Sequence, residues 1–227
     1  MMLPTAVSVP AARAVPPAAD GPLRLLSVGR LVPKKGHDVL IEAASLLARV
    51  GLAVHVVIVG EGGEGMALRR LAADHAARSS GRLAVDLVGD LPNEAVQALM
   101  AQGRFHAFVL ACRVASDGDR DGLPVALLEA QAHGLPTVTA ALAGFESQLI
   151  DGRDGILLPV GEPARRAGDP RALDPADLAQ VLQELHEDTG WRDELAEGAR
   201  AAAEARPTPG DLGLRLHGAL LRLLRGG

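Results

Sequence analysis

The sequence predicts an α/β fold: a doubly wound parallel sheet followed by a helical tail. From residue 23 onward, short apolar runs alternate with longer segments of helical period. Strands that alternate with helices imply right-handed βαβ crossovers and a sheet covered on both faces. A chain of 227 residues has room for one such domain with a substantial core, plus appendages.

The first half of the domain is predicted to contain three strands, each followed by a helix. The strands are 25–28, 54–59 and 83–88, and the helices are 37–49, 64–77 and 93–101. The first helix carries apolar side chains on one face, namely Val39, Leu40, Ala43, Leu46 and Leu47. Because ligands of parallel sheets bind at the carboxyl ends of strands, functional residues are expected in the loops that follow the strands.

The second half is predicted to add strands 105–111, 137–140 and 155–158, with a helix over 124–133. Three tail helices follow, over 174–188, 191–206 and 211–225. We divide the chain into a disordered N-terminal arm or interdomain linker (1–22), the α/β domain (23–163) and a helical extension (164–227) that packs on the domain. The arm has five prolines, and residues 164–175 have the composition of an enlarged surface loop.

Composition excludes several classes of function. A net charge of −5 and a pI near 5.8 argue against a nucleic-acid partner, which needs a basic face. No apolar stretch approaches the ~18 residues that span a bilayer, so any membrane contact is expected to be peripheral. The last tail helix has a leucine stripe that predicts packing on protein or contact with a membrane surface, formed by Leu212, Leu216, Leu220 and Leu223.

Cysteine and histidine usage indicates the compartment and gives no sign of a metal site. The single cysteine, Cys112, lies in an apolar run, which predicts a buried structural thiol in a reducing cytoplasm. The seven histidines show no metal-ligand spacing. We therefore predict a cytoplasmic protein with no metal and no cofactor.

The stretch 122–130 predicts a helix whose start suits a phosphate group. Pro124 suits the first helical turn, and Gly122 lets a ligand approach the backbone. The free N–H groups and positive dipole end of this helix favour an anion. Asp121 and Glu129 add carboxylates, which accept hydrogen bonds from sugar hydroxyls, so the pattern suits a nucleotide sugar. We therefore predict that the α/β domain (23–163) binds a nucleotide sugar. An ordinary helix start with a solvated Glu129 is the competing interpretation.

Three other loops that follow strands carry candidate residues. Residues 29–36 form a glycine turn with three cations, Arg30, Lys34 and Lys35. Residues 60–63 (GEGG) and 89–92 (GDLP) follow the second and third strands. Taken singly, the basic turn can be a solvated loop and the glycine-rich segment a plain turn, since neither matches a dinucleotide fingerprint or a Walker loop.

Four segments together resemble the glycosyltransferase family known as family 4, or glycosyl transferases group 1. Its donor-site signature, two acidic residues with seven residues between them, is similar to DGDRDGLPVALLEAQAHGLP (117–136). SVGRLVPKKGHDVLIEA, VIVGEG and VGDLPNEAV resemble three further family segments in order and spacing. The resemblance covers residues 24–163 and implies the Rossmann-like, donor-binding half of a GT-B fold.

The resemblance also implies an activity and roles for the residues. It implies retaining hexosyl transfer from a nucleoside-diphosphate sugar to a glycan or lipid-linked acceptor, most similar to exopolysaccharide synthesis. Arg30 and Lys35 would hold the diphosphate, Asp121 would orient the sugar, and Glu129 would bind the ribose. The other implied donor-binding residues are Gly29, Gly60, Glu61, Leu91, Gly122, Leu123, Pro124 and Val125.

The sequence departs from the family pattern in three respects. Asp121 stands where Glu is usual, Thr139 to Ala141 stand where an Asp often follows the strand, and the N-terminal acceptor domain is expected to be missing from this chain. A separate acceptor domain or subunit would then be required. One alternative is a non-catalytic nucleotide-sugar-binding module that is half of a split or truncated transferase. The other is a different nucleotide-dependent α/β enzyme, such as an epimerase.

Overall fold

The computed structural model of the protein describes residues 7–11, 17, 21–122, 124–160, 172–207 and 210–211. The predicted helix over 211–225, with its leucine stripe, lies outside these residues except for its first position. So do Leu123 and most of the predicted loop over 164–175.

Six parallel strands form one sheet in the order β3-β2-β1-β4-β5-β6. The strands are β1 (Leu23–Val28), β2 (Val54–Val59), β3 (Leu83–Gly89), β4 (Ala107–Leu110), β5 (Thr137–Ala140) and β6 (Ile156–Leu158). The helices are α1 (His37–Arg49), α2 (Gly65–Ala77), α3 (Asn93–Ala101), α4 (Val125–Ala132), α5 (Pro175–Glu187) and α6 (Thr189–Glu204). This order confirms the predicted doubly wound, Rossmann-like α/β fold.

Burial along the strands explains why they read as apolar runs in the sequence. Every residue of β4 and β5 is buried, because helices cover both faces of the inner sheet. The edge strand β3 instead alternates in exposure along its length, since one of its faces meets solvent. β1 lies at the centre and pairs with β2 from Leu23↔Val54 to Val28↔Val59, and with β4 at Leu25↔Ala107.

The observed boundaries differ from the predicted ones by up to two residues, with β1 starting at Leu23 and α6 running from Thr189 to Glu204. β4 is shorter than the predicted 105–111. Pro124 is the residue before α4, not part of its first turn, because its ψ of 124° is extended. Two short 3₁₀ turns, Pro33–Lys35 and Phe145–Ser147, were not predicted, since three residues are too few to establish a period.

Part of the N-terminal arm packs on the back of α4 and α6. Val7 is buried in one apolar cluster with Leu128, Ala132 and Ala203. Arg200 of α6 donates to the backbone carbonyls of Pro10 and Ala132. These contacts anchor the far side of α4, whose start faces the candidate site.

A buried histidine directly after residues 29–36 is expected to make the stability of the fold sensitive to acid. His37 is 1% exposed and its Nδ1 lies 3.2 Å from Ser27 Oγ. Burial lowers the pKa of His37 to about 4, whereas an unfolded histidine titrates near pH 6.5. Between these values the unfolded chain binds a proton that the folded chain does not, so stability is fully present above about pH 6.5 and declines towards pH 4.

We expect His37 to contribute about 2–3 kcal/mol to this decline. Urea unfolding of the wild type and of His37→Gln, each measured between pH 4 and 7.5, tests this. The difference in unfolding free energy between the two proteins should change with pH across that window. A pH-independent difference would show that His37 does not titrate as described.

Candidate functional site

The carboxyl ends of β1, β2 and β3 border a cavity of about 290 Å³. This volume is close to the lower limit of small-ligand sites, roughly 300 Å³. Its lining residues are Val28, Gly29, Arg30, Val59, Gly60, Glu61, Asp90, Leu91 and Val96. Five residues predicted from the sequence are therefore brought together here: Gly29, Arg30, Gly60, Glu61 and Leu91.

Backbone hydrogen bonds tie the three strand ends together beneath the cavity. Gly29 N donates to Val59 O over 2.9 Å, and Gly60 N donates to Gly89 O over 2.7 Å. Gly60 has a φ of +138°, and a Cβ atom there would overlap the carbonyl oxygen of Gly29. A glycine is thus required for this close approach, because a side chain would push the two strand ends apart.

The cavity combines apolar walls with a few polar groups. Val28, Val59, Leu91 and Val96 supply the apolar surface, and Arg30 with two carboxylates supplies the charge. This mixture is typical of sites that bind small organic ligands. The chemistry suits a flat heterocycle held between aliphatic side chains.

Next to the cavity lies a cluster of four charged residues from two loops. We call residues 29–36 the basic turn and residues 115–121 the acidic loop. Lys35 Nζ lies 2.8 Å from Asp121 Oδ2, and Lys34 Nζ lies 3.6 Å from Asp121 Oδ1. Lys34 Nζ also lies 3.0 Å from Asp119 Oδ2. A Cβ atom on Gly29 would be 3.4 Å from Lys35 Cδ, so the Lys35 side chain adjoins the cavity.

The Asp121 carboxylate is engaged within the protein. Besides its lysine partners, it accepts a hydrogen bond from the Cys112 thiol over 3.7 Å. Burial, together with the Asp121 charge, raises the pKa of Cys112 to about 12. The thiol is therefore a protonated donor, and the prediction that Cys112 is buried is confirmed. The predicted sugar contact of Asp121 stays a prediction.

The start of α4 is open to solvent on the site side. A Cβ atom on Gly122 would have no atom within 4 Å, and Val125 is 48% exposed. Glu129 accepts a hydrogen bond from Asn93 Nδ2 over 3.1 Å. Asn93 begins α3 directly after the segment that carries Leu91, so this bond connects α4 to the wall of the cavity.

Sequence reasoning had not selected Lys34, Asp119 and Arg113 as site residues. Lys34 was predicted only as one of the three cations of the basic turn. The available signal was charge complementarity, with two consecutive lysines in the basic turn and three aspartates in the acidic loop. Among the described residues, no group of three or more His, Cys, Asp or Glu is placed to hold a metal ion.

These features define a Rossmann-like domain with a candidate site for a phosphorylated ligand. A family model described as "Glycosyl transferases group 1" matches residues 8–201. The chain therefore belongs to the glycosyl transferases group 1 family. Within the described ranges, no helix is both long enough and apolar enough to cross a membrane.

Two curated relatives illustrate the similarity. The amylovoran biosynthesis glycosyltransferase AmsK of Erwinia amylovora is 37% identical over 145 residues, 64% of this chain and 34% of the relative. The putative colanic acid biosynthesis glycosyltransferase WcaL of Escherichia coli K12 is 32% identical over 169 residues, 73% of this chain and 40% of the relative. The chain thus spans well under half the length of these relatives.

A solved structure has the same fold at low sequence identity. Anabaena Alr3699/HepE in complex with UDP-glucose superposes with a TM-score of 0.68 and 22% identity, covering 90% of this chain and 50% of that one. The structural neighbours are GT-B glycosyltransferases, so the fold is that of one half of a GT-B enzyme.

Proposed function

We propose that this chain is the donor-binding part of a retaining glycosyltransferase that uses a nucleoside-diphosphate sugar. The hexosyl group would pass to a glycan or lipid-linked acceptor during cell-surface polysaccharide synthesis. The observation that carries the proposal is the position of the Lys35 side chain against Gly29, which places a cationic group directly beside the cavity. The named roles of AmsK and WcaL in polysaccharide biosynthesis support the class of product.

In this proposal the cavity takes the base and ribose, and the neighbouring cations take the diphosphate. Arg30 lines the cavity and Lys35 adjoins it, so both can reach a diphosphate attached to a nucleoside bound there. At the start of α4, the exposed residues Gly122 and Val125 would add backbone N–H donors and the positive dipole end. These groups would stabilise the negative charge that develops on the leaving diphosphate.

In this proposal the two carboxylates of the family signature, Asp121 and Glu129, accept hydrogen bonds from hydroxyl groups of the donor. When Lys35 turns to the diphosphate, Asp121 Oδ2 becomes available to accept a hydrogen bond from the sugar. Glu129 uses its second carboxylate oxygen for the ribose, while Asn93 holds the first. The fixed cations replace the divalent ion that some transferases need, so no metal or cofactor takes part.

Calorimetry tests the proposed function directly. The isolated chain, titrated with UDP, GDP and ADP, is expected to bind at least one of them with an affinity that EDTA does not change. The matching nucleoside without phosphates serves as the control and should bind more weakly, since it lacks the groups that meet the cations. The proposal fails if none of the three diphosphates binds, or if EDTA abolishes binding.

A further inference from the structure

We infer that Lys34 and Asp119 form an ion-pair clamp that positions Asp121 for the donor sugar. The clamp joins the basic turn to the acidic loop, two segments that follow different strands. Lys34 and Asp119 would thereby be positioning residues that set the preference for a nucleotide sugar over the bare nucleoside diphosphate. This role rests on the proposed function, whereas the clamp itself does not.

The geometry of the pair is bidentate. Lys34 Nζ lies 3.0 Å from Asp119 Oδ1 and 3.0 Å from Asp119 Oδ2. The Lys34 side chain is only 11% exposed, although that of Asp119 is 56% exposed. A pair with one exposed partner adds little to overall stability, less than about 1 kcal/mol. The main effect of the ion pair is therefore to fix the position of the acidic loop.

Arg113, two residues before the acidic loop, provides a second tether. Its backbone N–H donates to Lys34 O over 2.9 Å, and its Nε donates to Pro33 O over 2.7 Å. Its Nη1 forms an ion pair with Asp38 Oδ2 at 2.8 Å. The basic turn is thus bound to the acidic loop near both ends of that loop.

The acidic loop between the tethers is closed by its own hydrogen bonds. Ala115 N donates to Asp119 O over 2.8 Å, and Gly118 N donates to Ala115 O over 2.9 Å. Asp119 N donates to Asp117 Oδ1 over 2.9 Å. Residues 115–119 are therefore held to one another, and fixing Asp119 fixes the starting point for Asp121 two residues later.

Lys34 also keeps a contact with Asp121 that does not depend on Lys35. Its Nζ lies 3.6 Å from Asp121 Oδ1, whereas Lys35 holds Oδ2. Once the diphosphate engages Lys35, the Asp121 carboxylate remains held by Lys34 through Oδ1, and Oδ2 keeps only the Cys112 thiol and can accept a further hydrogen bond. Loss of the clamp should therefore reduce affinity for the sugar and have little effect on the diphosphate.

The test compares each nucleotide sugar with its own diphosphate in UDP-glucose/UDP, GDP-mannose/GDP and ADP-glucose/ADP. The readout is the dissociation constant of the diphosphate divided by that of its nucleotide sugar, measured for the nucleotide that the wild type binds best. Lys34→Met and Asp119→Asn should each lower the preference for the sugar about fivefold, the equivalent of one lost hydrogen bond. Lys34→Arg, which keeps a cation beside both Asp119 and Asp121, should retain most of it, and Arg120→Gln, an exposed neighbour in the loop, should leave it unchanged.

Hydrogen exchange without ligand tests the clamp independently of the proposed function. The amides of Ala115 and Gly118 should exchange faster in Lys34→Met than in the wild type, and unchanged rates would overturn the clamp. The positioning role is overturned if Asp119→Asn strengthens diphosphate binding with an unaltered sugar preference, because Asp119 would then only compete with phosphate. It is also overturned if Lys34→Arg loses the sugar preference as fully as Lys34→Met does. If the wild type binds no nucleotide, the proposed function and the sugar role both fail, while the exchange result still decides the clamp.

Discussion

Replacing Lys35 by Met is expected to weaken binding of the nucleoside diphosphate about 100-fold, or about 2.7 kcal/mol. Two effects add in the same direction. The variant loses the cation that adjoins the cavity, and it releases Asp121 from an ammonium group that lies 2.8 Å from its carboxylate. The released carboxylate would then repel the diphosphate. Calorimetry with the diphosphate that the wild type binds best measures the change.

Two control variants separate this effect from net charge. Lys35→Arg keeps a cation and should retain most of the affinity. Arg49→Met removes the same charge at the opposite end of α1, whose 13 residues span about 20 Å, and should change affinity less than twofold. A similar loss of affinity in Lys35→Met and Arg49→Met would mean that Lys35 makes no direct contact with the phosphates.

Replacing Gly36 by Ala is expected to destabilise the folded protein by about 4 kcal/mol, among the largest effects of a single substitution. Gly36 has a φ of +64°, and a Cβ atom there would overlap the backbone carbonyl of Ala111. The left-handed conformation alone costs an alanine about 1–2 kcal/mol. The rest arises because α1 or the end of β4 must shift. Urea unfolding at neutral pH gives the difference in free energy.

Gly152→Ala is the matched control, because Gly152 has the same left-handed backbone conformation as Gly36 but an added Cβ atom there would not clash. Gly152 has a φ of +71°, but no atom lies within 4 Å of the position of an added Cβ. This variant should therefore lose only the conformational cost of about 1–2 kcal/mol. Equal losses in the two variants would indicate that Gly36 does not pack against Ala111 as described.

The sheet and its helices were predictable because their signals are local and repeated. Helix α1 and strand β2 match the predicted spans 37–49 and 54–59 residue for residue. Their apolar side chains follow a helical period or form a continuous run, which short-range sequence can specify. The boundary at Pro124 was misplaced by one position because the turn geometry before α4 depends on its loop, not on a period.

The candidate site was predictable as a set of loops but not as a set of contacts. The carboxyl-end rule selected the segments that contain Arg30, Gly60 and Leu91, and the structure places these three around one cavity. The partners within the site were not predicted. Lys34 and Asp119 are 85 residues apart, and the sequence does not state that their loops meet.

The sequence alone determined the α/β class, the succession of strands and helices, and the family to which the chain belongs. Only the tertiary structure decided that Lys34 and Lys35 share the carboxylate of Asp121, and that Glu129 binds Asn93. The physical reason is the strand order. β1 and β4 are distant in the chain but adjacent in the sheet, so the loops that follow them meet at the point where the order reverses. Side-chain pairing between such loops depends on the packing of the whole sheet, which no local pattern specifies.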